Sequence, residues 1–171
     1  DRLNQYLHRP LVLVSAPAGY GKSTLISCWL ETCDIASCWV SLDENDNDLR
    51  LFLLYIVSAI QQISPLACAE TLSMLKVADL PPVSVLARCL INELDQIGQE
   101  IILVLDDYHL IQDRNVNRLV GKLLDHPSAQ THLVLVGRRD PPLPLTALRA
   151  TRQMAEVGIE DLRFSLEEIV I

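Results

Sequence analysis

Positive charge is scarce in this sequence. Lys and Arg number 14 against 22 Asp and Glu, for a formal net charge of −8 over 171 residues. Nucleic acids are held by clustered Lys and Arg, so a chain this acidic is a poor nucleic-acid binder by itself. Long hydrophobic runs are missing too. The longest, "LFLLYIVSAI" at 51–60, is about half the length of a bilayer span, so no membrane partner is expected. The five cysteines, Cys28, Cys33, Cys38, Cys68 and Cys89, contain no CxxC pair, and no histidine stands near them at ligand spacing. Reduced, mostly buried thiols are the expectation, with a zinc site as the remote alternative. An odd cysteine count without a disulfide framework points to the cytoplasm. Internal repeats and low-complexity tracts are absent. Half the residues are apolar, which excludes a disordered tail, and the length suits one domain with a real core.

What is present is an alternation. Residues 11–16 ("LVLVSA"), 37–43, 101–109 and 131–140 read as strands, the first and third continuously apolar as in a sheet covered on both faces. Between them, residues 22–33, 48–64, 66–77, 83–97 and 114–125 read as helices, with Asp48 as an N-cap. Residues 145–151 read as a short helix and "MAEVGI" as a short strand. Ser165 and Glu168 stand at capping-box spacing for a last helix. The expected fold is α/β: a three-layer domain, a mostly parallel sheet with helices on both faces. Residues 1–164 are expected to form this domain and 165–171 to begin a following helical one. The sequence opens on Asp1 rather than Met, as an excised segment would. The helix at 48–64 is apolar nearly all round, which predicts cover on more than one side or by something outside the chain.

In such a sheet, ligands sit at the carboxyl ends of the strands, and three polar motifs fall there. The first is "APAGYGKST", residues 16–24, between a strand and a helix. It matches the phosphate-binding pattern GxxxxGK[ST] with Ala16 in the first glycine's place. Pro17 holds Ala16 extended, so no left-handed backbone is needed there. Gly19 and Gly21 remain where the chain must bend and approach phosphate closely. Ala18, Gly19, Gly21, Lys22, Ser23 and Thr24 are therefore the nucleotide-binding candidates. Amides at the helix start point at the phosphates, Lys22 reaches the β- and γ-phosphates, Ser23 ligates Mg²⁺ and Thr24 lies by the α-phosphate. The competing account is a glycine turn with a solvated lysine. Tyr20 has no required role.

The second motif is the end of "IILVLDDYH". Two acids after five apolar residues, beside a phosphate loop, read as a Walker B site. Asp106 is the Mg²⁺ candidate, acting through the ion's water shell. Asp107 is the candidate to orient or deprotonate an attacking water. Successive strand residues point to opposite faces, so the two do not share a role. A solvated strand end is the alternative, and His109 reads as a packed or hydrogen-bonded histidine. The third motif is "GRRD" at 137–140. Arg138 can sense a γ-phosphate through bidentate contacts, against the alternative of an ordinary surface pair with Arg139.

The stretches "LVLVSAPAGYGKSTL", "SCWVSLDENDND", "LVLDDYHLI" and "LVGRRDPPLPLTALRA…EVGIEDLRFSLEE" together resemble the nucleotide-binding domain of the MalT-like, LuxR-type transcriptional regulators, in the STAND class of signal-transducing P-loop ATPases. The likeness runs in order over nearly the whole chain, and "APAGYGK" is that family's usual loop. It implies ATP and ADP as ligands with Mg²⁺, Lys22 and Asp107 in catalysis, Ser23 and Asp106 at the metal, and Arg138 as the arginine after the fourth strand. Gly137 stands where the family more often has Ser or Thr. "DENDND" reads as turn and cap, with no chemistry assigned. The resemblance further implies self-association in the ATP state, and DNA contact only through a C-terminal helix-turn-helix that this chain lacks. The expected function is thus an ATPase switch in a transcriptional activator. A small-molecule kinase or other metabolic P-loop enzyme is the alternative, and a module that holds nucleotide without hydrolysis is a third.

Overall fold

The computed structural model describes residues 3–162. Five strands build one sheet: β1 (Leu11–Ser15), β2 (Ala36–Ser41), β3 (Ile101–Asp106), β4 (Thr131–Gly137) and β5 (Met154–Val157). Their order is β2-β3-β4-β1-β5, and every pairing is parallel. Parallel neighbours need crossovers, and six helices lie between the strands: α1 (Lys22–Thr32), α2 (Leu49–Ile63), α3 (Ala69–Met74), α4 (Val83–Asp95), α5 (Arg114–Asp125) and α6 (Leu145–Ala150). The result is the three-layer α/β P-loop architecture.

Side-chain alternation sorts the central strands into two unlike faces. Leu11, Leu13, Leu103, Leu105, Leu133 and Leu135 point into the cluster shared with α2, α4 and α5. Val12, Val14, Ile102, Val104, Val134 and Val136 point into the other, shared with Ile26 and Trp29 of α1, Leu3 and Leu162. Long side chains thus fill the face under α2, α4 and α5, and compact β-branched ones lie under α1 and the segments around Leu3 and Leu162. Trp29 fixes the second layer further by donating its indole N–H to Asn4 Oδ1 at 2.7 Å.

Two expectations need correction, and for α2 the first of the two expected covers, on more than one side, is found. The helix expected over 66–77 is only Ala69–Met74. Cys68 sits in the left-handed region (φ +60°), which no helix can run through. The chain before it makes a separate turn, with Ala67 N bonded to Ser64 O. Arg50 then takes the carbonyls of Leu75, Val77 and Ala78, holding the segment after α3 in a non-helical path. Next, the apolar excess of α2 is covered from within the chain. Phe52, Leu53, Ile56, Val57 and Ile60 are buried, α3 packs against α2, and Leu72, Leu75 and Leu80 join its cluster. Among the described residues the exposed large apolar side chains are Tyr55, Leu66 and Val77. Finally, β2 and β3 stop at Ser41 and Asp106, and residues Glu44–Asp46 and Tyr108–Leu110 each wind into a short 3-10 turn.

Asp48 caps α2 as expected, accepting from Leu51 N at 2.8 Å. Asp43 and Asp46 form a reciprocal capping box around the first 3-10 turn. Cys38, Cys68 and Cys89 are buried, Cys33 is half-buried and Cys28 is exposed; all five are free. The capping box at Ser165 and Glu168 lies outside the described residues.

Candidate functional site

The strand order decides where the polar motifs meet. β4 lies between β1 and β3, with Ser15 opposite Gly137 and Leu105 opposite Leu135. The segments that leave β1, β3 and β4 therefore emerge side by side at one sheet edge. Asp106, Asp107 and Arg138 come close enough there to act on the charge of Lys22.

The loop at 16–21 starts pinned, because Ala16 is buried and its N–H reaches Gly137 O. It then turns through two left-handed residues, Gly19 at φ +83° and Gly21 at φ +71°. Gly21 is the N-cap of α1 and carries no capping side chain, which leaves the first-turn amides without a side-chain partner. A Cβ at Gly19 or Gly21 would meet no protein atom within 4 Å, so the space before the loop is open. Ala18, Ser23 and Thr24 are exposed along this rim. Lys22, the first residue of α1, is buried, and its Nζ donates to Pro17 O at 2.9 Å across the loop. Burial, then the Arg138 charge, hold the Lys22 pKa below its ordinary value; Asp107 and Asp106 oppose them more weakly.

The two acids are held differently. Asp106 is buried, and its Oδ1 accepts from Asp107 N at 2.9 Å. Asp107 turns out of the strand in the left-handed region, at φ +57°. Its carboxylate is about half exposed (48%) and lies 3.9 Å from His109 Nδ1, too far for a hydrogen bond. That ring nitrogen is buried and has no hydrogen-bond partner among the described residues. Burial holds the imidazole pKa below its ordinary value, with Arg138, Arg139 and Lys22 adding to the effect against Asp107, which favours the neutral ring. Of the two states expected of His109 from the sequence, packed or hydrogen-bonded, the packed one is found, with no hydrogen bond at Nδ1.

Arg138 is exposed and Arg139 leans toward β3, where its guanidinium donates to His109 O at 3.3 Å. Gly137 stands against that turn; a Cβ there would lie 3.4 Å from His109 N. Sequence reading also missed Asn47, whose side chain spans two loops. Nδ2 donates to Glu44 O (3.0 Å) and Leu110 O (2.9 Å), while Oδ1 accepts from Gln112 N (2.6 Å) and Asp113 N (2.8 Å). No sequence signal marks bonds between residues more than sixty positions apart.

No family model matches the chain. The HTH-type transcriptional regulator MalT of Klebsiella pneumoniae is 37% identical over 158 residues, and that of Yersinia enterocolitica 35% identical over 159. The chain is a relative of the MalT regulators. Each alignment takes in 92% of this chain and 17% of the regulator, so the chain spans about a sixth of the curated relatives it matches. Among solved structures, Cdc6p from Pyrobaculum aerophilum shares the fold, with a TM-score of 0.51 at 16% identity over 90% of this chain and 41% of that one.

The site of this MalT relative suits a nucleoside polyphosphate with Mg²⁺. The open space before Gly19 and Gly21, the free amides of α1 and the buried Lys22 ammonium make an anion cradle. The described residues hold no cluster of three or more His, Cys, Asp or Glu, which leaves the zinc alternative without ligands. Ser23 and Asp106 are the residues that would hold Mg²⁺, a hard cation that takes oxygen ligands. No described helix is long and apolar enough to cross a membrane.

Proposed function

We propose that this chain is the ATP-binding switch domain of a cytoplasmic, MalT-like transcriptional activator. The observation that carries the reading is the meeting of Lys22, Asp106, Asp107 and Arg138 around an open, twice left-handed loop at one sheet edge. Lys22 exchanges the Pro17 carbonyl for the β- and γ-phosphate oxygens. The amides from Gly19 to Thr24 hold the remaining charge, with the dipole of α1 behind them. Ser23 and Asp106 hold Mg²⁺, which when bound neutralises charge on the β- and γ-phosphates. Asp107, half exposed, orients the attacking water or takes its proton. Arg138 reads the γ-phosphate from the strand between loop and acids.

Turnover is slow, and its task is to reset the switch. The γ-phosphate biases the domain only by binding one arrangement better than the other, and the ATP arrangement self-associates. DNA is contacted by a helix-turn-helix outside these residues, in keeping with the acidic charge of this chain.

The test is Lys22→Met, which keeps the aliphatic stem and removes the charge. A charge-assisted bond is worth about 1.5–3 kcal/mol, so the Kd for Mg-ATP should rise at least about tenfold with the fold intact. Equal affinities refute the phosphate loop. A molar mass by light scattering that is the same with ADP and ATP, in the full-length protein, refutes the switch. Phosphate transfer to added small hydroxyl compounds moves the assignment to a kinase.

A further inference from the structure

We propose that Asn47 is a positioning residue for ATP hydrolysis, setting Asp107 by clamping the far end of its loop; this rests on the proposed ATPase site. Among the described residues no hydrogen bond fixes the Asp107 carboxylate, and the ring nitrogen of His109 beside it is 3.9 Å away, beyond hydrogen-bond reach. The place of the carboxylate is therefore set by its backbone, at the first residue of the loop joining β3 to α5. Asp106 Oδ1 fixes the near end through Asp107 N, and Arg139 holds the middle through His109 O. The far end is fixed by Asn47, whose amide takes hold of Leu110 O, Gln112 N and Asp113 N at once and ties them to Glu44 O.

The chemistry of these partners admits one orientation of the amide. Two carbonyls face Nδ2 and two N–H groups face Oδ1, so all four bonding positions are used and a flip would break every bond. Carboxylate at this position would set charge against two carbonyl oxygens, and a shorter side chain would reach neither loop. Asp113 in turn caps α5 through Asn115 N and Val116 N, so the clamped end leads straight into a rigid helix. The loop that carries Asp107 is held between a strand and a helix, and Asn47 closes the gap to the segment after β2. Catalytic geometry is demanding: a misplacement of about 1 Å can cost about 100-fold in rate. The triphosphate, by contrast, is assigned to residues 18–24, and none of the hydrogen bonds of Asn47 goes to them.

The experiment compares wild type, Asn47→Ala and Asp43→Ala in the full chain. Asp43→Ala is the structural control: it removes the capping box of the same 3-10 turn but no bond to residues 107–113. Three quantities are read: the Kd for Mg-ATP, the single-turnover rate of phosphate release, and amide exchange at Gln112 and Asp113 by NMR. Asn47→Ala should slow phosphate release tenfold or more, leave Kd within threefold and speed exchange at both amides. Asp43→Ala should keep the rate within twofold. The proposal is overturned if Asn47→Ala hydrolyses at the wild-type rate, or if Asp43→Ala slows hydrolysis equally. A wild-type chain that binds ATP without hydrolysing it removes the reaction Asn47 serves and also overturns the proposal, while nucleotide binding stands. A wild-type chain that binds no ATP overturns the underlying site as well.

Discussion

Two glycines of this chain share a backbone conformation and differ in what lies before them. Gly21 (φ +71°) opens α1 at the phosphate loop, and Gly98 (φ +78°) turns the chain between α4 and β3. Neither would bring an added Cβ within 4 Å of another protein atom, so alanine meets no clash at either position. What alanine meets is the left-handed region, which costs an L-residue with a Cβ about 1–2 kcal/mol. Against a typical stability of about 5–15 kcal/mol, both variants stay folded. For a chain of this size, each kcal/mol lowers Tm by about 2–4 °C, so both should lose about 2–8 °C. The pair parts company on nucleotide. At Gly21 the new methyl group projects into the space where phosphate must come close to the backbone, whereas Gly98 faces solvent at the start of β3, whose other end carries Asp106. Differential scanning fluorimetry without nucleotide, followed by Mg-ATP titration well below Tm, reads the two effects separately. Matched losses in Tm, with weakened ATP binding in Gly21→Ala alone, are the expected outcome. If both variants bind ATP as wild type does, residues 16–21 are a structural turn and the cradle is refuted.

Two further predictions concern charge. Asp106→Asn should weaken Mg²⁺-dependent ATP binding, while Asp107→Asn should leave binding intact and slow single-turnover hydrolysis. Asparagine tolerates the left-handed backbone of position 107, so a loss of Tm in Asp107→Asn would speak against a purely chemical role. The pH profile of binding follows from Lys22, which must be charged to hold phosphate. Its pKa lies below the ordinary 10.5 because of burial and then Arg138, so ATP affinity should fall as pH rises through that lowered value. A Kd that is flat to pH 10.5 in wild type, or that bends identically in Lys22→Met, contradicts this.

Much of the fold was legible because the central strands are short apolar runs bounded by turn residues. "LVLV" at 11–14 and again at 133–136 encodes both buried faces at once. Asp48 announced its helix because capping is a local bond between neighbours in sequence. The order of the strands was another matter. No residue states that β4 slips between β1 and β3, since that follows from packing the whole chain. The break at Cys68 was hidden because a cysteine carries no turn preference, and the left-handed backbone there is set by its surroundings. The candidate site residues could be named from the sequence because phosphate loops and acidic strand ends are written in contiguous residues, whereas their meeting at one end of the sheet follows from the strand order. Asn47 was read only as part of a polar turn. Its partners at 110–113 are distant in sequence, and two carbonyls and two N–H groups leave no trace in residue identity.

The central place of β4 has a mechanical consequence. It shares ladders with β1 on one side and β3 on the other, so sliding it by one residue would break both at once and turn Leu133 and Leu135 out of one core and Val134 and Val136 out of the other. The strand ends beneath the phosphate loop, the acids and the arginines therefore form an anvil that does not yield. Under the proposed function, gaining or losing a γ-phosphate would therefore be taken up not by the sheet but by the segments beyond the strand ends, of which the one after β4 is the proline-rich turn at 141–144, leading to α6. Arg149 of α6 is bonded to Asp140 before that turn and to Glu156 on β5, so the turn is tied to the edge strand of the sheet.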